Sequence, residues 1–211
     1  MTLDLALNAF VTLFVTIDPI GMIPIFIALT QGMNSAERSS IALRSALIAL
    51  CILTLFTFAG TIILSTMGIT LHAFRIAGGF LLFYIAFEMI FEKRQMRREN
   101  ASDTAVTKDD IANIAAFPLA IPLIAGPGSI SAVILLSGQF GNDFQSYGVL
   151  IGVVIAVLAT LITTFMLATP IDKFMGNTGR MIMTRLMGVL LAALSVQFVV
   201  DGIAALWRQT V

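Results

Sequence analysis

Two short segments combine helix breakers with the polar groups a ligand would need. The first is Ile17-Asp18-Pro19-Ile20-Gly21, with Pro24 following. The second is Ala125-Gly126-Pro127-Gly128-Ser129, with Ser131 following and Pro118 and Pro122 before it. Proline inside a helix removes a hydrogen bond and clashes with the preceding turn. Asp is a favoured N-cap and Pro is favoured at the first helical position. The pattern therefore predicts a helix ending near Ile17 and a second one starting at Pro19, with Pro24 keeping the new start irregular. A helix start offers unpaired N–H groups and roughly half a positive charge, which suits an anion. At Gly126–Ser131 no bulky side chain competes for those groups. At Asp18 the site brings its own anion, and an N-cap position favours the charged carboxylate. That suits a substrate ammonium or Na⁺ better than proton carriage. One end drawing carboxylate and one drawing ammonium fit a small zwitterion. The bland alternatives are a cap satisfied wholly by backbone for Asp18 and close helix packing for the glycines.

The elements that must hold these breaks are apolar helices. The chain is 58% hydrophobic and 11% charged, against about 25% charged in a soluble domain, and its mean hydropathy is +0.99. That charge is too small to cover a water-soluble globule. A crossing helix needs about 20 mostly apolar residues, and six such runs are expected, at about 5–29, 43–66, 73–91, 113–138, 146–169 and 183–206. The first run is too long for a signal peptide and lacks a basic lead. Both breaks fall near the middle of their runs, where an ionisable group is expensive and points to function. Irregular backbone survives at that depth only inside protein or beside a polar cavity.

Ten of the twelve basic residues fall on one side of this arrangement, in the connections after spans one, three and five. Only Arg75 and Arg208 fall on the other. The positive-inside rule makes the first side cytoplasmic and leaves both termini outside. The connection 92–112 reads as a solvated linker between a first three-helix unit (1–91) and a second (113–211). A lipid-binding basic patch there is weakened by Asp103, Asp109 and Asp110.

The two units resemble each other. Asp18-Pro19 in the first corresponds to Gly126-Pro127 in the second, and Arg75-Ile76-Ala77-Gly78 corresponds to Arg185-Leu186-Met187-Gly188. The two separations are nearly equal, and a short insertion between spans five and six reconciles them. A unit of three crossings reverses direction on repetition, so the halves are expected to be antiparallel, a recurring plan of secondary transporters. Arg75 and Arg185 each open an apolar helix that ends near an acid, Glu88 or Asp201, and they read as side chains that snorkel to the interface, with a place on a pathway as the alternative. Arginine at a helix start opposes the dipole, so a local acidic or carbonyl partner is expected. Glu88 and Gln197, separated by nearly the same interval, are candidate counterparts at the outer ends of a pathway. Gly78, Gly79 and Gly188 read as packing residues, and His72 and Cys51 as structural.

Other chemistries find little support. A single cysteine and a single histidine exclude an internal disulfide, a Cys-cluster metal site and paired-His zinc motifs. Balanced charge gives no global field for nucleic acid, and no phosphate-binding loop signature occurs. An intramembrane enzyme would want a base near Ser129 or Ser131, or a second deep aspartate near Asp18, and the sequence provides neither. No cofactor is expected beyond a coupling Na⁺ or H⁺.

The segments Asp18–Phe26, Phe74–Gly79, Pro118–Gly128 and Arg185–Gly188 resemble the signature segments of the MarC family, and the similarity runs from end to end. The resemblance implies a six-span bacterial inner-membrane protein, similar to LysE-type exporters, that moves small neutral amino acids. The expectation is thus an all-α polytopic membrane protein with six transmembrane helices as two inverted three-helix repeats, broken in helices one and four. It would carry a glycine- or alanine-like substrate by alternating access, as a monomer or homo-oligomer in the bilayer. The alternatives are an exporter of another small metabolite or ion, and a non-transporting scaffold subunit.

Overall fold

The computed structural model describes residues 2–94, 98, 114–140 and 144–210 of the 211-residue chain. Every regular element among them is helical. The order is α1 (Thr2–Ile17), α2 (Ile23–Leu29), α3 (Ser35–Thr66), α4 (Leu71–Ile90), an irregular coiled segment (Ala115–Ile124), α5 (Pro127–Phe140), α6 (Phe144–Met166) and α7 (Ala168–Thr210). Four helical stretches among the described residues are long and apolar enough to cross a bilayer: Ser35–Thr66, Leu71–Ile90, Gln145–Met166 and Ala168–Arg208. The irregular segment and α5, bent by 55°, make a fifth as a pair. The first expected run is divided between α1 and α2, of 16 and 7 residues. Neither alone reaches the length a crossing needs.

Local chemistry sets the element ends. Asn34 caps α3: its Oδ1 accepts from the N–H of Ala36 and Glu37, while its own N–H donates to Glu37 Oε2 at 2.8 Å. This reciprocal box satisfies donors that the first turn leaves without intrahelical partners. At the far end Gly68 takes φ +72, and the N–H of Ile69 folds back to Leu64 O at 2.9 Å, a glycine-terminated helix end. Thr70 then caps α4 through Ala73 N at 3.1 Å. Pro118 and Pro122 interrupt the irregular segment, where Phe117 and Ile121 take extended conformations.

Two expectations change here. The second helix of the first break starts at Ile23, not Pro19, with Pro24 at its second position. Residues 19–22 form a turn instead, because Asp18 takes a left-handed φ of 58°. The basic residues Lys173, Arg180 and Arg185, expected between spans five and six, lie on α7. That element runs from Ala168 and changes direction only at Gly176, φ 59°. Pro170 falls in its first turn, where proline is tolerated. Apolarity had marked the crossing part of this helix and not its polar extension. Arg185 accordingly sits well inside a helix and meets no N-terminal dipole.

Helices α1, α2, α3, α5 and α6 enclose one apolar core around Leu13, Phe26, Leu53, Val133 and Leu158. A second cluster joins Val15 of α1, Leu82, Ile85 and Ala86 of α4, Leu135 of α5, and Leu191 and Phe198 of α7. Large apolar side chains that face outward, among them Leu55, Ile62, Phe80 and Val189, have the character of a lipid-facing surface.

Helices α4 and α7 pack antiparallel at van der Waals distance through glycine. A Cβ on Gly79 would stand 2.9 Å from Ser195 O and 2.7 Å from Val199 Cγ2. One on Gly188 would stand 3.1 Å from Ala86 O and 3.0 Å from Ile90 Cγ1. The packing reading of these glycines holds in geometry. Gly188→Val is expected to lower the thermal unfolding temperature of the detergent-purified protein, with a cost of about 1–3 kcal/mol typical of overpacking. Gly152→Ala, whose Cβ meets nothing within 4 Å, is expected to leave it unchanged or raise it slightly.

Candidate functional site

At the end of α1 the chain must satisfy carbonyls that a continuing helix would have used. The residues that do so come from far along the sequence. Arg98 Nη2 donates to Ile17 O at 2.9 Å, and Arg94 Nη2 donates to Thr16 O. Arg98 Nη1 also pairs with Asp18 Oδ2 at 3.1 Å, with side chains 4% and 3% exposed. Arg94 Nη1 donates to Met89 Sδ at 3.0 Å. Asp18 in turn accepts the N–H of Gly21 on Oδ1 at 3.0 Å. The expected capping role of Asp18 is therefore present, displaced from the helix start to the turn. Gly21 is required there, since a Cβ would collide with the Asp18 carboxylate.

The second break lies against the first. A Cβ on Gly128 would stand 3.3 Å from Thr16 Cγ2 and would collide with Ile85. Gly126 is equally constrained, by Pro122 O. The negative end of α1 thus abuts the positive start of α5. The meeting point lies at the level of Ile85–Met89, nearer the Ile90 end of α4 than its middle, so the mid-span position expected from the sequence is shifted towards one end.

Two cavities flank the paired arginines. The first, of about 460 Å³, is lined by Asp18, Gly21, Pro24, Glu88, Glu92, Arg94 and Arg98, with Asn177 and Arg180 of α7. It reaches the exposed Phe91 and Glu92. The second, of about 310 Å³, is lined by Arg94, Arg98, Gly126, Pro127, Gly128 and Ser129, with apolar walls from Leu81, Tyr84, Ile85 and Leu123. Most of the expected site residues on the breaks therefore line one cavity or the other. Pro19 and Ser131 are buried but line neither.

The pathway candidates separate. Glu88, 4% exposed, lines the first cavity. Arg75 and Gln197 line a third, of about 420 Å³, with Asn8, Gln139 and Asp201 at the other end of α4, and Gln197 Nε2 donates to Asp201 Oδ1 at 2.8 Å. Arg185 lines none of these cavities. It pairs with Glu92 Oε1 at 2.6 Å on the surface, the acidic partner its charge called for.

Arg94 and Arg98 are what the sequence reading missed. As part of a solvated linker they were expected in water, yet they are 7% and 4% exposed. Apart from 92–94 and 98, the connection 92–112 lies outside the described residues. A signal was present. The two arginines are four apart directly after an apolar helix, so they share one helical face, and Asp18 was a deep carboxylate without a basic partner.

The sequence profile of the MarC family integral membrane proteins matches residues 3–207. The chain belongs to the MarC family. Among its MarC-type relatives, the UPF0056 membrane protein of Aquifex aeolicus is 36% identical over 97% of this chain and 94% of its own length. The UPF0056 membrane protein YvbG of Bacillus subtilis is 34% identical over 98% of each. The UPF0056 membrane protein YhcE of Escherichia coli is 35% identical over 94% and 91%. No solved structure matches the chain. This MarC-family chain is an integral membrane protein on these grounds, and its end-to-end coverage includes both breaks and the arginine pair.

Removing one partner of a buried ion pair costs about 3–5 kcal/mol, because the other charge is stranded. Asp18→Ala is expected to destabilise the protein on that scale in thermal unfolding. The double variant Asp18→Ala/Arg98→Met is expected to lose much less than the two single variants added together, as coupled partners do.

Proposed function

We propose that this protein is a secondary transporter of a small neutral amino acid, glycine- or alanine-like, working by alternating access. The observation that carries the reading is the meeting of two interrupted helices, Thr16 against Gly128, beside cavities that stop at a closed wall. Towards the Ile90 end of α4 the first cavity reaches exposed residues. Towards the Arg75 end, Val15, Leu82, Leu135, Leu191 and Phe198 fill the space between it and the third cavity. Access from one side with the other side packed is one half of a carrier cycle. Cavities lined by charged side chains at the breaks count against a scaffold, which needs no irregular backbone inside a membrane.

The inverted repeat is supported by reciprocal contacts. Gly79 meets Ser195 and Val199, and Gly188 meets Ala86 and Ile90. Gly188 and Gly79, Ser195 and Ala86, and Val199 and Ile90 are related by one constant sequence offset, as a two-fold relation between α4 and α7 demands, so in the packing Gly188 answers Gly79 and not the Gly78 of the Arg-x-x-Gly pairing. The charges are arranged alike at the two ends: Glu92 pairs with Arg185, and Asp201 shares a cavity with Arg75. With α1 and α2 counted as one interrupted crossing, six crossings result, in two halves of three. Arg94, Arg98, Arg180 and Arg185 lie at the Ile90 end, and Arg75 and Arg208 at the other. By the positive-inside rule the Ile90 end is cytoplasmic and both termini face outward from the bacterial inner membrane.

A zwitterion suits the charge layout. The first cavity holds Asp18, Glu88 and Glu92 beside Arg94 and Arg98, so both signs are available within one small space. Coupling is to Na⁺ or H⁺. Catalysis is disfavoured, because among the described residues the ionisable groups around Ser129 in the second cavity are Arg94, Arg98 and Tyr84, and guanidinium cannot serve as a base. A second reading, export of another small anionic metabolite, is favoured by that same cavity, which among the described residues two arginines and no acid line.

Counterflow in proteoliposomes tests the proposal. Labelled glycine or alanine is expected to exchange against the same unlabelled solute, with its rate altered by a Na⁺ or pH gradient. Asp18→Asn is expected to slow exchange at least tenfold. Exchange of no neutral amino acid would select the anion reading, and undiminished exchange by Asp18→Asn would remove Asp18 from the site.

A further inference from the structure

We propose that Arg94 and Arg98, with the first turn of α5, form a subsite for the carboxylate of a small solute in the second cavity. The inference rests on reading the break region as a binding site, and it names the group that site recognises.

The two breaks align at one sequence offset, but the first turns through residues 19–22 before α2 starts at Ile23, whereas α5 starts directly at Pro127, and the two bring different side chains. At the first, the Asp18 carboxylate accepts the N–H of Gly21 and is clamped by Arg98. At the second, Gly126 stands where Asp18 stands and Ser129 where Gly21 stands, at one common offset along the chain. Gly126 brings no side chain to accept from the start of α5, and a Cβ there would strike Pro122 O. The second break therefore sets the N–H donors and positive dipole end of α5 beside the guanidinium groups that meet Asp18 at the first, without a carboxylate of its own. A carboxylate from outside the chain supplies the missing part.

The cavity is where that group must go. It is lined by both arginines and by Gly126, Pro127, Gly128 and Ser129, and among the described residues no Asp or Glu lines it. The first cavity, by contrast, has three acids. Ser129, 3% exposed, makes no side-chain hydrogen bond among the described residues and lines this space, so its hydroxyl is a further donor. Capping α1 accounts for the contacts of Arg94 and Arg98 with Thr16 and Ile17 carbonyls, but a structural cap needs no cavity on its other side. A guanidinium fork matches carboxylate geometry better than a point charge does. At about 310 Å³ the space lies at the bottom of the usual range for ligand pockets, about 300–1,000 Å³. The walls beyond the charged end are Leu81, Tyr84, Ile85 and Leu123, which suit a short aliphatic remainder.

The test is binding of acetate and propionate to the full chain purified in detergent, followed by ligand-observed NMR with ethylamine as the control of opposite charge. Both carboxylates are expected to bind saturably and to compete with each other, and ethylamine to displace neither. Ser129→Ala is expected to weaken binding at least threefold without moving the unfolding temperature, and Arg94→Gln at least tenfold. If Arg94→Gln does not fold, Arg94→Lys decides: charge kept and fork lost, it is expected to bind several-fold more weakly. Absence of carboxylate binding to the wild-type chain overturns the subsite, as does wild-type affinity in both Ser129→Ala and Arg94→Lys. The carrier reading fails separately. Carboxylate binding without any counterflow sinks transport and leaves the subsite standing, whereas amino acid counterflow without carboxylate binding sinks the subsite alone.

Discussion

A helix that stops inside a protein leaves carbonyls that water would otherwise satisfy, and the end of α1 is such a place. Its last carbonyls accept from Arg94 and Arg98, and the second of these guanidinium groups is balanced by Asp18. Much else follows from this knot of charge. α1 can end at Ile17, the chain can turn through Pro19–Met22, and α2 can depart in a new direction. The start of α5 can then approach the end of α1 with opposite dipole ends facing. Small residues at Gly21, Gly126 and Gly128 are consequences of that approach, since a Cβ at any of them meets an occupied position.

The interruptions were legible because proline and Asp-Pro act locally, through ring geometry and a short side chain that reaches its own backbone. The restart of the helix was less legible. Its position depends on Asp18 taking a left-handed conformation while its carboxylate answers Arg98, a residue remote in the chain. Arg94 and Arg98 themselves were hidden by their surroundings, a run of polar residues with the composition of any solvated connection. Burial there is a tertiary event, and only the unbalanced charge of Asp18 hinted at it. The polar part of α7 was hidden for a different reason: a hydropathy pattern reports what lipid tolerates, and a helix can continue well beyond that.

The contact between α4 and α7 shows how backbone proximity and charge cooperate. Glycine on each helix faces the other's carbonyls, so the two axes come close along a long seam. Arg185 and Glu92 pair at one end of the seam, and Arg75 and Asp201 share a cavity at the other.

The choice of guanidinium at the core of the molecule has one more effect. A lysine in the same place would be free to shed its proton as its environment dried, and its grip on the severed end of α1 would come and go with acidity. Arginine does not lose its proton in proteins. The two guanidinium groups therefore keep their charge in acid and alkaline surroundings, and any response of the molecule to proton gradients originates in other groups.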